Sequence, residues 1–323
     1  MTTDAAPGTS RTRAETRTLE TAGRRRGTGW SPLWSYLYLS PFIILVALFT
    51  IYPTIASLGY AFIRWDGLSA PSGFVGLENF RTIIGDPFFW TSLRNSLWYT
   101  AVLVPVQLFI ALTLALVLNQ GTMRFTSVYR SMFFLPAVMS PAILAVIFRL
   151  LIASMQKDWL GDPDVVMWVI IVIGIWQTLG YNLIYFLAGL QTIPKELYEA
   201  AEVDGAGWWA SLRHITLPGL RSIAIIILLM AILGSLNVFD LVMVLTGGGP
   251  YFASSVVNTY IYQLAFGNFY GGGGASSSVA QNIGLASAGS VFYGFMLLGV
   301  TVVQYVLLAR IKKRGAPAIA EES

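Results

Sequence analysis

The stretch PKELYEAAEVDGAGWWASLRHITLP, residues 194–218, is polar, has strongly apolar sequence on both sides, and decides how this chain is organised. Pro194 suits the start of a helix because its missing N–H would have no partner there. Gly205 suits the end, where a residue with positive φ closes many helices. The stretch therefore predicts a short polar helix between long apolar ones.

The predicted helix has two different faces. Leu197, Ala200 and Ala201 recur at the i, i+3, i+4 spacing and form a face of mostly small side chains, whereas Glu196 and Glu199 lie on an acidic face. Small side chains would let a partner backbone come close, and acidic residues are favoured near the positive end of a helix dipole. A solvated connector has a similar composition, so the pattern alone leaves both interpretations open.

Three short motifs shift that balance: Glu199-Ala200-Ala201, Asp204-Gly205-Ala206 and Leu217-Pro218. Together they resemble the EAA motif of permease subunits in binding-protein-dependent ABC importers. In that family this loop is the coupling helix, which docks in a cleft of the cytoplasmic ATPase subunit. The resemblance implies the following ATPase-coupling residues: Glu196, Glu199, Ala200, Ala201, Asp204, Gly205, Ala206 and Pro218.

Composition places the chain in the membrane. Its 323 residues are 55% hydrophobic and only 11% charged, with a mean hydropathy of +0.66, whereas soluble domains are about 45–50% apolar. The chain has no cysteine, which excludes disulfides and thiol catalysis. His214 is the one histidine, which excludes a histidine metal cluster, and its place beside Arg213 in the polar stretch favours a surface or interface role over a serine–histidine pair.

No phosphate-binding GxxxxGK[ST] motif occurs, because the glycines at 271–274 lack a following lysine. We therefore expect a non-catalytic subunit with no metal or cofactor and with ATP hydrolysis in partner subunits. Asp240 is the one acid well inside an apolar run, and no base–nucleophile set accompanies it. A membrane enzyme is accordingly disfavoured.

Runs of about 20 apolar residues are long enough to cross a bilayer. The fold class expected is all-α: a polytopic membrane protein with six transmembrane helices and a cytoplasmic coupling helix. The transmembrane domain covers 32–314, with its coupling loop at 191–219, between a disordered basic tail at 1–31 and a second tail at 315–323. The spans lie near 36–62, 97–118, 132–152, 166–190, 222–246 and 284–309.

Positive charge sets the orientation. Of the 20 Lys and Arg residues, fifteen lie on the side that holds both termini and the 194–218 loop. The positive-inside bias therefore places both termini and that loop in the cytoplasm. The five on the other side are Arg64, Arg81, Arg94, Arg149 and Lys157.

Prolines are expected to distort two of the six spans, and a run of aromatic and polar residues sets the first outer loop apart. Pro41 and Pro53 interrupt the first span, and Pro136 and Pro141 predict a bend or break in the third, because each removes a helical hydrogen bond. The first outer loop, about 63–96, alternates aromatic and polar residues and is expected to lie along the membrane interface.

The fifth span contains the first substrate candidates. Ala231, Ser235 and Val238 fall at i, i+4, i+7 on one helical face, and they match substrate-lining positions of maltose-type permeases. Tyr181 and Asn182 in the fourth span are further candidates. For each polar residue, a role in holding helices together is an equal alternative.

Placing a charged carboxylate as deep in the membrane as Asp240 is predicted to lie costs free energy. We therefore expect it either to be neutral or to be held by a donor such as Asn237 or Arg149.

The resemblance extends over residues 36–314. Gly76 to Phe80 (GLENF), Thr246 to Pro250 (TGGGP) and Tyr260 to Tyr262 resemble stretches of the sugar permeases. The resemblance implies a heterodimer with a second permease, two ATP-binding-cassette ATPase subunits and an extracellular solute-binding protein. The cargo implied is a sugar, first a maltose-class oligosaccharide, carried across the cytoplasmic membrane among its lipids, with no nucleic acid partner.

Two other functions stay open. Glycerol phosphate or another disaccharide is the alternative cargo, and a phosphate would require an arginine facing the pathway, for which Arg149 is the candidate. An ion-coupled secondary transporter is a less favoured class, because it requires an ionisable relay and usually an internal repeat. Only Asp240 is available for a relay, and no repeat between the two halves is visible.

Overall fold

A computed structural model describes residues 32–119, 126–267 and 281–315. The predictions for the tail at 1–31, for the last residues of the C-terminal tail and for the glycine run at 271–274 lie outside these ranges. The chain divides into two compact units, 1–56 and 57–323. Five described helices are long and apolar enough to cross a membrane, or six if one bent pair is a single span. The all-α, polytopic prediction is thereby confirmed.

The elements follow one another in chain order. They are α1 Pro32–Val46, a π-helical turn Ala47–Ile51, α2 Tyr52–Tyr60, β1 Ile63–Arg64, β2 Ser72–Phe74, α3 Glu78–Gly85, α4 Pro87–Asn119, α5 Thr126–Val138, α6 Pro141–Ala153, α7 Val166–Leu190, α8 Lys195–Val203, α9 Trp208–Ser211, a second π-helical turn Leu212–Thr216, α10 Leu217–Leu236, α11 Asp240–Leu245, α12 Val257–Phe266 and α13 Ile283–Gly315.

The first apolar run stays helical, contrary to the expected interruption. Pro41 lies inside α1, and Pro53 follows the first π-helical turn, in which the Tyr52 N–H bonds the Ala47 carbonyl. A π-turn bonds each residue to the fifth one before it, and it widens the helix where a proline ring would otherwise meet a carbonyl. The same arrangement recurs just before Pro218, where the Leu217 N–H bonds the Leu212 carbonyl.

The third span is broken, as its prolines predict. α5 and α6 meet at an angle of 94°. Pro141 is the first residue of α6, where its missing N–H leaves no hydrogen bond unmade, and Pro136 lies in the last turns of α5.

The fifth span is also broken, which its sequence did not predict. α10 ends at Leu236 and α11 begins at Asp240, so Asn237, Val238 and Phe239 form a non-helical link inside the apolar run. Leu241 and Val242 of α11 are buried in the same hydrophobic cluster as Ile170 of α7. This packing favours the interruption over a continuous helix.

The packing of α7 against α4 and α5 forms the centre of the second unit. Gly180 allows a close approach, since a Cβ there would lie 2.6 Å from the Phe133 carbonyl oxygen and 2.9 Å from the Phe134 Cα. α4 begins at Pro87 rather than near 97, so it takes in the last third of the predicted outer loop.

The rest of that loop contains a small antiparallel pair, β1 and β2, which an all-α prediction omitted. Asn79 is buried and its side-chain amide donates to the carbonyls of Ala61 and Ile63, each at 3.0 Å. Glu78 forms an exposed ion pair with Arg64 at 2.9 Å. The GLENF motif therefore positions α3 against the strands.

Candidate substrate cavity and coupling helix

A cavity of about 690 Å³ lies beside the interruptions in the third and fifth spans. The α5–α6 break contributes Met139 and Ser140 to its wall, and the α10–α11 break contributes Asn237, Val238 and Phe239. Residues of α4 and α7 complete the lining. Helix breaks at membrane depth are tolerated where they line a cavity, and both breaks meet that condition.

The wall of this central cavity contains all five predicted substrate residues, and their role in binding stays a prediction. They are Ala231, Ser235, Val238, Tyr181 and Asn182. Val238 reaches the wall from the link after α10 rather than from the helical face assumed for it.

Two of the five are buried and already hydrogen-bonded, Ser235 to another helix and Asn182 within α7. Ser235 is 6% exposed, and its hydroxyl lies 3.0 Å from that of Thr100 on α4. Asn182 is 7% exposed, and its amide donates to the Thr178 carbonyl at 3.2 Å. Tyr181 differs from them, because its ring is exposed while its hydroxyl donates to the Ala137 carbonyl at 2.5 Å.

Two neighbours of Tyr181 that were not predicted from the sequence also line the cavity, Gln177 and Tyr185. They lie four residues before and after Tyr181, so the three side chains share one face of α7. Among the described residues no group bonds the Gln177 side-chain amide. Helical spacing from Tyr181 was the pattern that would have found them.

Asp240 lines the cavity, and neither of the donors expected for it bonds its carboxylate, so the alternative of a neutral Asp240 stays a prediction. Asn237 instead donates to the Leu233 carbonyl at 2.8 Å, and Arg149 to the Val244 carbonyl at 3.5 Å. No other side chain in the described ranges bonds the Asp240 carboxylate. The break exposes Asp240 at the first turn of α11, where an open carboxylate needs no protein partner.

The predicted polar helix is confirmed as α8. Pro194 precedes it, and Gly205 has a φ of +75° just after it. The Gly205 N–H donates to the Glu202 carbonyl at 3.0 Å, and the Ala206 N–H to the Ala201 carbonyl at 2.8 Å. These two bonds form a Schellman motif, which satisfies carbonyls that the helix end leaves free.

The stretch around α8 presents an exposed surface. Glu196, Glu199, Ala200, Asp204 and Gly205 are all exposed. Apolar side chains join them, since Val203 is 88% exposed and Trp209 is 74% exposed. Exposed apolar groups of this kind mark interaction sites.

Side-chain bonds hold this stretch to itself. The hydroxyls of Tyr198 on α8 and Thr216 before α10 lie 3.0 Å apart. His214 bonds the Ala210 carbonyl at 3.0 Å. The whole stretch of residues 194–218, which we call the coupling segment, is thereby linked to the start of α10.

The segment at the other end of α11, residues 246–256, is tied to α4 by buried bonds. The Asn95 amide donates to the carbonyls of Phe252, Ala253 and Ser255 at 3.0, 3.2 and 3.0 Å. The Ser92 hydroxyl donates to that of Ser255 at 2.9 Å. We call residues 246–256 the outer segment.

Comparison with known proteins supplies a family context. A family model described as the binding-protein-dependent transport system inner membrane component matches residues 104–314. The lactose transport system permease protein LacF of Rhizobium radiobacter is 32% identical, over 72% of this chain and 83% of that protein. The sn-glycerol-3-phosphate transport system permease protein UgpA of Yersinia pestis is 29% identical, over 87% of this chain and 96% of that protein.

A solved structure shares the fold. It is a bacterial ABC transporter involved in the import of the acidic polysaccharide alginate, with a TM-score of 0.69 and 23% identity. The match covers 91% of this chain and 99% of that one. Similarity of fold over this length agrees with the helical architecture described above.

Proposed function

We propose a function from the premise that the chain belongs to the family of inner membrane components of binding-protein-dependent transport systems. It is a multi-pass permease subunit of an ABC importer, and its relatives include sugar permeases. Within that class we assign the central cavity to the passage of a neutral oligosaccharide. ATP hydrolysis belongs to partner subunits.

The coupling segment is the surface for the ATPase. Its exposed glutamates and alanines, with Val203 and Trp209 beside them, offer a partner both charge and apolar area. The Tyr198–Thr216 bond joins α8 to the start of α10, and α10 leads to the break at the central cavity. Closure of the ATPase pair would therefore move a helix that ends at the substrate pathway.

The choice of a neutral cargo rests on the charge of the residues that line the central cavity. Among the described residues that line it, Asp240 is the one charged side chain, and the others are apolar, amide, hydroxyl or aromatic groups. A phosphate or carboxylate ligand is normally held by Arg or Lys, and Arg149 is not in the wall. A carboxylate repels such ligands but accepts hydrogen bonds from sugar hydroxyls.

A maltose-class oligosaccharide is the first candidate, because the positions of Ala231, Ser235 and Val238 match those that line the pathway in maltose-type permeases. A second permease would supply the other half of the pathway and the second coupling helix. A solute-binding protein would deliver the sugar to the side away from the coupling segment. Both termini and the coupling segment face the cytoplasm in this topology, because fifteen of the 20 Lys and Arg residues lie on that side.

ATP hydrolysis by the reconstituted complex tests this assignment. The chain would be purified with the second permease and two ATPase subunits, placed in lipid vesicles and supplied with its binding protein. We expect maltose, maltotriose or another neutral sugar to stimulate hydrolysis, and glycerol 3-phosphate not to do so. Stimulation by glycerol 3-phosphate alone would contradict the neutral cargo, and a transport-active assembly without ATPase subunits would contradict the importer.

A further inference from the structure

A second groove, of about 420 Å³, shares Phe239 with the central cavity. It lies between the link after α10, the exposed side of α12 and the first turns of α13. We call it the aromatic groove. The residues that matter in it are Phe239, Asn258, Tyr262, Phe266, Ala286 and Ser287.

Three aromatic rings form a continuous row along this groove. The ring centroids of Phe239 and Tyr262 lie 5.2 Å apart, and those of Tyr262 and Phe266 lie 4.8 Å apart. The angles between the ring planes of these two pairs are 48° and 44°, so the rings are tilted and their faces are not stacked on one another. The floor beside them includes Ala286, whose small side chain leaves room for a ligand ring.

Ser287 and Asn258, which both line the groove, have no side-chain hydrogen-bond partner among the described residues. Ser287 is 6% exposed, lines the groove and receives no hydrogen bond from any described residue. The Asn258 amide, also in the lining, is equally unbonded within the described ranges. Nearby Ser290 differs, since its hydroxyl donates to the Ala286 carbonyl at 2.9 Å. Unused hydrogen-bonding groups at a nearly buried position favour a polar ligand.

The groove leads from the side away from the coupling segment towards the central cavity. Phe266 is the last residue of α12, and the Asn282 N–H, just before α13, donates to the Leu264 carbonyl at 2.7 Å. One end of the groove therefore lies where α13 begins. Phe239, at its other end, also belongs to the wall of the central cavity.

We propose that the aromatic groove is an additional sugar subsite, in which a pyranose ring stacks on Tyr262 while its hydroxyls bond Asn258 and Ser287. The apolar C–H face of a sugar ring suits an aromatic face, and its hydroxyls suit an amide and a hydroxyl. An acyl chain would fit the rings but would leave both polar groups unbonded. The inference rests on the proposed function, because it assigns a second site on the same sugar's path.

Cysteine labelling tests occupancy directly, because the chain has no cysteine of its own. Ser290→Cys, at an exposed position in the wall of the groove, would be labelled with a maleimide in the full complex, with and without maltotriose or whichever neutral sugar stimulates the unmodified complex. At a concentration about ten times the dissociation constant, labelling should be about tenfold slower. Tyr305→Cys, at an exposed position of α13, is the control and should label at an unchanged rate.

Sugar uptake gives the second readout. Tyr262→Leu should raise KM for the sugar about fivefold, the loss expected for one stacking contact. Tyr262→Phe keeps the ring and should restore the KM, and Tyr305→Leu should have no effect.

The outcomes separate the two proposals. If no neutral sugar stimulates the unmodified complex, the proposed function and the subsite both fail. If sugar stimulates it but does not slow labelling of Ser290→Cys, and uptake does not depend on Tyr262, the subsite alone is overturned. Labelling that is slowed by added phospholipid and not by sugar would assign the groove to an acyl chain, which also overturns the proposal.

Discussion

The coupling segment and the outer segment lie beyond opposite ends of the α10–α11 pair and are held in opposite ways. In the outer segment, the bonds from Asn95 and Ser92 come from another helix and are buried. In the coupling segment, the described side-chain bonds end within the segment, as between Tyr198 and Thr216. By side-chain hydrogen bonds, the outer segment is tied to α4 and the coupling segment to itself, although Tyr198 and Ile215 also pack against the apolar cluster of α4, α7 and α10.

This difference indicates where motion enters the molecule. A buried network with its partners satisfied resists displacement, because each broken bond leaves a desolvated group. A self-bonded, exposed segment can be displaced as a body without breaking its own contacts. We infer that force applied to α8 passes into α10, while the outer segment stays fixed against α4.

Removal of the Asn95 amide should have the largest effect on stability. Asn95→Ala leaves three carbonyls of the outer segment without their donor, and it should cost about 3 kcal/mol. Thermal unfolding of the purified complex would show a lowered Tm. Asn119→Ala is the control, because Asn119 is exposed at the end of α4 and bonds no described residue. Equal melting of the two variants would contradict the anchored outer segment.

A smaller loss is expected at Tyr198. Tyr198→Phe removes the bond to Thr216 at a cost of about 1 kcal/mol and loosens α8 from α10. Hydrogen exchange of the α8 amides should become faster, whereas Tyr129→Phe, at an exposed tyrosine of α5, should leave it unchanged. Identical exchange in the two variants would show that the bond does not hold α8.

Asp240→Asn should change stability least of the three. The exposed carboxylate has no described partner, so we expect a change within about 0.5 kcal/mol. Charge-assisted hydrogen bonds are roughly twice as strong as neutral ones, so KM for the sugar should rise about fivefold. Thermal melting and uptake measure the two effects. A clear loss of stability would reveal a partner, and an unchanged KM would remove Asp240 from the pathway.

Local chemistry made part of this architecture predictable. Pro194 and Gly205 mark the ends of α8 through local effects. Proline has a fixed φ and no N–H, which suits a helix start, and glycine accepts the positive φ that ends the helix. Pro141 marks the break before α6 for the same reason. Tyr181 was predicted as a polar residue of an apolar span, and helical spacing from it extends to Gln177 and Tyr185.

Long-range packing determined the rest. No proline marks the α10–α11 break, which depends on burial of Leu241 and Val242 against α7. Asn95 bonds residues more than 150 positions along the chain, and no local pattern identifies such partners. Asp240 was expected to be neutral or held by a donor because its run is apolar, whereas the break leaves its side chain exposed.

The central claim is that the coupling segment transmits ATPase motion to the bundle, and two glycines of this segment give the most direct test. Gly205 has a φ of +75° and Gly207 a φ of −71°, and a Cβ at either position would meet no atom within 4 Å. Gly205→Val and Gly207→Val therefore add the same side chain in the same open space and differ in backbone strain, which is about 1–2 kcal/mol for a left-handed residue.

The measurement is ATP hydrolysis by the reconstituted complex, with and without sugar-loaded binding protein. We expect both variants to insert in normal amounts. Gly207→Val should retain stimulated hydrolysis, and Gly205→Val should lose the stimulation or lose the ATPase subunits on purification. Full stimulation in Gly205→Val would contradict the account of residues 194–218 as the coupling element.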